Sequence, residues 1–197
     1  DAPFWRAEEL TRSAHLSERL LAFLEEAEGR RTTAGFRTWL AEQAPLSAEA
    51  AAELAAFLAS QCAATGAPLP HARHIVAERV HEAKLDPDRV RIILHTLWGG
   101  ALNRPFAMML AAAWEERFGE RAECIADNDC VALTCSASAP SVDLFALVPA
   151  ARRDALLRNR LEQTGFFGAR FRECAGVALL CPKSSADRRM PLWMSRE

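Results

Sequence analysis

The sequence predicts an α+β fold, several helices packed on a small antiparallel sheet of about four strands. Three observations lead there. Apolar residues recur at helical spacing at Leu10, Ala14, Leu20, Leu21 and Leu24, and again through SAEAAAELAAFLASQC. The run GAPLP (66–70) then marks a change of period. Beyond it, two pairs of short β-rich segments flank turn-forming residues, and helical patterning resumes toward the end.

The elements follow in order. Ala7 to Glu28 reads as an amphipathic helix with a break near Ser13. A polar stretch from Gly29 to Gly35 separates it from a short helix that begins at Phe36, Trp39 and Leu40 and stops before Pro45. Ser47, with Glu49 close behind, caps the next helix. His74 to Glu82 alternates as a strand, Asp86-Pro87-Asp88 turns, and Val90 to Leu97 returns antiparallel. Gly99-Gly100 ends that strand, and a helix is expected from about Arg104 to Phe118, with Pro105 near its N-terminus. Cys124 to Ala126 and Cys130 to Cys135 form a second hairpin around Asp127-Asn128-Asp129. Helices are expected at Ser141–Leu147, Ala150–Gln163 and Phe167–Leu180. Two segments result, a helical one at 1–65 and an α+β one at 66–197, expected to form one compact unit.

At 197 residues, half of them apolar, the chain can bury a substantial core. No apolar run approaches the ~18 residues of a membrane span, so no membrane partner is expected. The chain opens on Asp1 rather than Met, with Phe4 and Trp5 almost at once, and is expected to be a piece excised from a longer polypeptide. The six cysteines sit in apolar strings and are expected to be buried thiols of a cytoplasmic protein.

The formal charge of −2 is unevenly spread. Residues 1–60 carry ten acidic and six basic side chains, whereas 150–196 carry ten basic and four acidic. Nine of those ten are arginines, whose guanidinium fork matches phosphate oxygens. The basic quarter is either a phosphate-facing surface or a set of solvated helix faces.

Neither a Gly-x-x-x-x-Gly-Lys-Ser/Thr phosphate loop nor a Gly-x-Gly-x-x-Gly motif occurs, so the chain alone is not expected to hydrolyse nucleotides. His71, His74, His81 and Glu78 do not make a ligand set, because on a strand His71 and His74 face opposite ways. The cysteine spacings lack a Cys-x2-Cys rhythm, and Asp127 and Asp129 are explained by their turn, so no metal is expected. Trp5 in DAPFWRAE is either a core anchor or a platform on which a base stacks. Trp39, Trp98 and Trp114 lie on apolar faces and are assigned to the core. WGGALNRPFA (98–107) is either a tight strand-to-helix turn or an anion site at a helix N-terminus that includes Arg104.

Several blocks together resemble the DEAD/H-associated segment of Lhr-type (large helicase-related) superfamily 2 DNA helicases. They are DAPFWRAE, LPHARHIVAERVHE, ILHTLWGGALNRPFAMML, FFGARFRECAGVALLCP and RRMPLW. The last two are the most specific, and residues 10–60 carry little of the likeness. Ala7 stands where the family usually has Gly, and Phe106 where it usually has Trp. The resemblance implies a longer ATP-dependent helicase with RecA-like motors and a winged-helix domain, using ATP and Mg²⁺ outside this chain. Implied partners are single-stranded DNA or a DNA/RNA hybrid, in the cytoplasm at the nucleoid. It also implies that Trp5 is a stacking tryptophan, beside Arg6. Arg104, Arg152, Arg153, Arg170, Arg172, Arg188 and Arg189 are then the expected phosphate contacts. A protein-interaction module that docks the motors or another partner is the competing expectation.

Overall fold

The computed structural model describes residues 11–43, 46–81 and 87–178. Helix α1 (Ala14–Arg30) starts where Ser13 accepts a hydrogen bond from Leu16 N, so the break foreseen near Ser13 is the helix start. Residues 11–13 are not helical, and 7–10 lie outside the described residues. Helix α2 (Phe36–Gln43) is short. Helix α3 (Ala48–Thr65) is capped by Ser47 Oγ and closed by Gly66 in the left-handed conformation (φ 64°). The apolar faces of the three helices form one cluster around Leu24, Ala27, Trp39, Leu40, Ala51 and Leu58. Phe23 and Phe36 stack on the Trp39 ring at 5.6 and 5.8 Å. Leu69 N donates to Glu28 Oε2 at 3.0 Å, tying the following linker to α1.

Strands β1 (Val76–Val80) and β2 (Arg89–His95) pair antiparallel. After the long helix α4 (Gly100–Phe118), β3 (Glu123–Ala126) and β4 (Cys130–Ser136) form the second hairpin. Strands β2 and β4 then join from Arg89↔Ser136 to His95↔Cys130, giving the order β1-β2-β4-β3. Alternation puts Val90, Leu94, Val131, Leu133 and Cys135 on one face, where all are buried. Ile93, Arg91, Thr134 and Ile125 line the other, which is half-open. The expected α+β class with a small antiparallel sheet is what forms.

Three expectations need correction. Helix α4 begins at Gly100 rather than Arg104, because Asn128 Oδ1 accepts from Gly100 N at 2.9 Å and acts as a cap supplied from another turn. Pro105 therefore lies inside the helix. Residues 144–147 form turns instead of a helix: Asp143 Oδ1 takes the N–H groups of Phe145 and Ala146, and Pro149 follows. His71 and His74 face each other across a two-residue turn, each N–H bonded to the other's C=O, with rings 5.7 Å apart, so they are not on opposite faces.

A 3-10 turn (Ala150–Arg152) runs into α5 (Arg153–Leu161), and α6 (Gly165–Val177) starts from the Thr164 cap. Residues 179–180 of the expected last helix lie outside the described residues. The helices α1–α3, the four strands and the first part of α4 form one compact unit. The rest of α4 with α5 and α6 belongs to a second. The described cysteines remain thiols; Cys135 is buried and Cys62, Cys124 and Cys130 half-buried. Cys174 is exposed rather than packed. Among the described residues no helix is long and apolar enough to cross a membrane.

Candidate nucleic-acid interface

In the first unit, polar side chains converge where three turns meet. Arg12 N donates to Asn128 Oδ1 at 2.8 Å. The Arg12 guanidinium donates to Ser17 Oγ (3.1 Å), Asp129 Oδ1 (2.7 Å), Leu97 O (2.9 Å) and Asn128 O (2.8 Å). Gly99 N returns to Asn128 O at 2.9 Å. Deeper, Thr96 Oγ1 donates to Asn103 Oδ1 at 2.7 Å, and Asn103 Nδ2 donates to Asp127 O at 2.9 Å. The chain accommodates this junction with Leu97 at φ 55° and Gly99 at φ 87°. The Gly-Gly turn is thus a joint in which Gly100 N–H is already occupied, which favours the tight-turn reading of residues 98–107.

Asp127 closes the hairpin turn. Burial by itself raises its pKa, but N–H donors from Cys130 and Asp129, with Arg12 nearby, outweigh that and hold the carboxyl below its ordinary 3.8. A carboxyl depressed in the folded state stabilises fully above its unfolded value and loses that stabilisation as pH falls through the lower folded one. Denaturant melts are therefore expected to show stability declining below pH 3.8. Asp127→Asn is expected to be less stable at pH 7 and to decline less on acidification. Equal acid dependence in both proteins would contradict this. The Cys130 thiol is pushed up to about 11 by burial and then by Asp127, so it stays protonated at neutral pH.

Helices α1 and α3 and the Val76 end of the sheet leave an apolar groove of about 450 Å³ lined by Leu20, Phe23, Leu54, Phe57 and Leu97. Glu78 and His95 lie at its side, with Oε2 and Nε2 3.3 Å apart. Neither the groove nor the Arg12 junction was foreseen. Arg12 sits beside Ser13 with no motif around it, and apart from Ser17 its partners lie 85 to 117 residues away.

In the second unit the arginines divide into two groups. Arg152 reaches Glu116 at 2.5 Å, Arg160 reaches Glu115 at 3.5 Å, and Arg170 reaches Glu173 at 2.8 Å. Among the described residues Arg153, Arg158 and Arg172 are exposed with no ion-pair partner. Arg104 is exposed near the start of α4, its Nε 3.6 Å from where a Gly100 Cβ would stand. The expected contacts Trp5, Arg6, Arg188 and Arg189 lie outside the described residues, as do Cys181 and Trp193. Trp39 and Trp114 are buried as assigned, and Trp98 is half-buried, edge-on to Phe106 at 5.7 Å. Among the described residues no three His, Cys, Asp or Glu side chains are grouped to hold a metal.

The first unit joins three helices and a four-stranded antiparallel sheet with Arg12 clamped to the β3–β4 turn, and the second unit carries exposed arginines. Residues 69–197 match the DEAD/H associated family, and the chain belongs to that family. It is 32% identical to the Lhr helicase/uracil glycosylase of Escherichia coli (strain K12), covering 98% of this chain and 12% of that protein. It is 29% identical to the Lhr helicase/probable uracil glycosylase of Mycolicibacterium smegmatis, covering 99% and 13%. The solved structure of Mycobacterium smegmatis helicase Lhr bound to ssDNA and AMP-PNP is similar at 28% identity and a TM-score of 0.72, over 98% of this chain and 24% of that one. The chain thus spans a small part of each relative.

Proposed function

We propose that this chain is a single-stranded nucleic-acid-binding accessory domain of an ATP-dependent DNA helicase, a 3'-5' translocase of DNA repair. The observation that supports it most is the likeness, over nearly the whole chain, to part of a helicase whose structure contains single-stranded DNA. ATP and Mg²⁺ act in RecA-like motors elsewhere in the longer polypeptide. This domain, beside those motors and a winged-helix domain, holds the tracking strand of DNA or a DNA/RNA hybrid in the cytoplasm. It does no chemistry itself.

In this mechanism Trp5 stacks on a base without regard to sequence, and arginines contact phosphates, so each ATP cycle moves the protein against a strand that does not slip back. Arg153 and Arg172 can offer the whole guanidinium, whereas Arg152 and Arg170 must first leave Glu116 and Glu173. Arg6, Arg104, Arg188 and Arg189 are proposed as further contacts.

In the intact helicase, Trp5→Ala is expected to weaken binding to labelled oligo-dT about 5- to 150-fold, the equivalent of one lost stack, with an unchanged salt slope. Arg153→Ala and Arg172→Ala are each expected to reduce the slope of log K against log salt by about 0.7. Unchanged affinity and slope in all three variants would overturn the DNA reading in favour of a protein-docking module.

A further inference from the structure

We propose that the apolar groove between α1 and α3 is a docking site for a short amphipathic helix of another protein, one whose apolar face is bordered by lysines or arginines. No arginine lines this groove, so the inference stands whether or not the arginines of the chain hold DNA.

The groove presents side chains in helical register. On α1, Leu16, Leu20 and Phe23 follow at i, i+4 and i+7, which places them along one face. On α3, Leu54 and Phe57 belong to the facing wall, which continues to Thr65. From Leu54 to Thr65 that wall is about 16 Å long, the length of three helical turns. Its rim is uncovered: Phe57 is 57% exposed and Leu16 55%. Isolated exposed apolar residues are ordinary, but Phe57 lines, and Leu16 extends, a single hollow of about 450 Å³. A hollow of that size between two helices takes the anchoring side chains from one face of a third.

Charge narrows the occupant. Neither Lys nor Arg lines the groove, and α3 contains none. Asp129 is already paired with Arg12, so the carboxylates left to a visitor are Glu78 and Glu53. Glu78, at the sheet end, faces only His95 at 3.3 Å. Glu53 is exposed one turn before Phe57 and has no ion-pair partner among the described residues. On α1, Arg19 and Glu26 each lie a turn from Phe23 and offset one another. A nucleic-acid backbone or an anionic lipid surface is repelled by Glu53 and Glu78. A second copy docked groove to groove is disfavoured too, because a two-fold interface sets each patch against itself and acids would meet acids. A helix with cations beside its apolar face matches both the hollow and the carboxylates.

The test uses the intact helicase and two fluorescein-labelled helical peptides of about 14 residues, long enough to span the α3 wall. Both carry leucines on one face; one has lysines beside them, the other glutamates. Fluorescence anisotropy is expected to show the lysine peptide binding, and the glutamate peptide about 10-fold weaker or worse. Phe57→Ser is expected to weaken the lysine peptide about 5- to 30-fold. Glu53→Gln with Glu78→Gln is expected to weaken it about 3- to 10-fold and to flatten its salt dependence. Thermal melts accompany each variant, and should the double variant not fold, Glu53→Gln alone supplies the charge comparison. A lysine peptide that does not bind the unaltered helicase, as when another segment of the helicase fills the groove, overturns the proposal. Equal binding of the two peptides, or undiminished binding to Phe57→Ser, overturns it as well. So does a Phe57→Ser protein that sediments with fewer copies per assembly, since the groove then belongs to a second copy.

Discussion

Gly99→Ala is expected to destabilise the first unit by about 2–4 kcal/mol, lowering its melting temperature by about 5–15 °C. Two effects add. Gly99 sits at φ 87°, where an L side chain is strained. Its Cβ would also stand 2.9 Å from Ser17 Oγ and 3.0 Å from Arg12 O, and the second of these is backbone that cannot step aside. Gly66→Ala is the control. It has a similar φ of 64° but nothing within 4 Å of the new Cβ, so it is expected to cost about 1 kcal/mol. Equal losses at the two sites, measured by denaturant melts, would show that close approach at the Gly-Gly turn contributes nothing.

Asn103→Ala is the second large effect, at about 2–4 kcal/mol. The residue is fully buried, and its amide joins Thr96 Oγ1 to Asp127 O, so α4 is pinned to the end of β2 and to the β3–β4 turn. Truncation leaves a buried hydroxyl and a carbonyl without this partner and opens a cavity. Asn103→Asp is expected to be worse than Asn103→Ala at neutral pH. The carboxylate can accept from Thr96 but cannot donate to Asp127 O, and its charge has no counter-ion in the bonds that hold Asn103. A more stable Asn103→Asp than Asn103→Ala would contradict this account.

Local signals carried most of the fold. Ser47 and Gly66 bound α3 because capping depends on neighbours within one helical turn, and the two antiparallel strand pairs were legible from alternation, although Glu82 and Asp86 of the first expected hairpin lie outside the described residues. The start of α4 was misplaced because its cap is Asn128, twenty-eight residues further along. The helix expected at 141–147 failed because Asp143 bonds the backbone locally and competes with the helix. Cys174 looked packed in an apolar string, but burial depends on which face of α6 meets a neighbour.

The candidate contacts were legible only as residue types. A count of arginines does not separate Arg152, held by Glu116, from Arg153, which is exposed and, among the described residues, without an ion-pair partner. That distinction belongs to the tertiary structure, because the partner is on another helix.

Sequence alone determined the helix-on-sheet class, the hairpins, and the likeness to a helicase-associated segment, since each resides in short spacings or contiguous motifs. Only the tertiary structure decided that Arg12 is a structural hub, that Gly99 and Gly100 form a joint, and which arginines stand clear of acidic partners. Those features depend on side chains and backbone groups brought together from distant parts of the chain. A hydrogen bond across 117 residues leaves no local trace in the order of the amino acids.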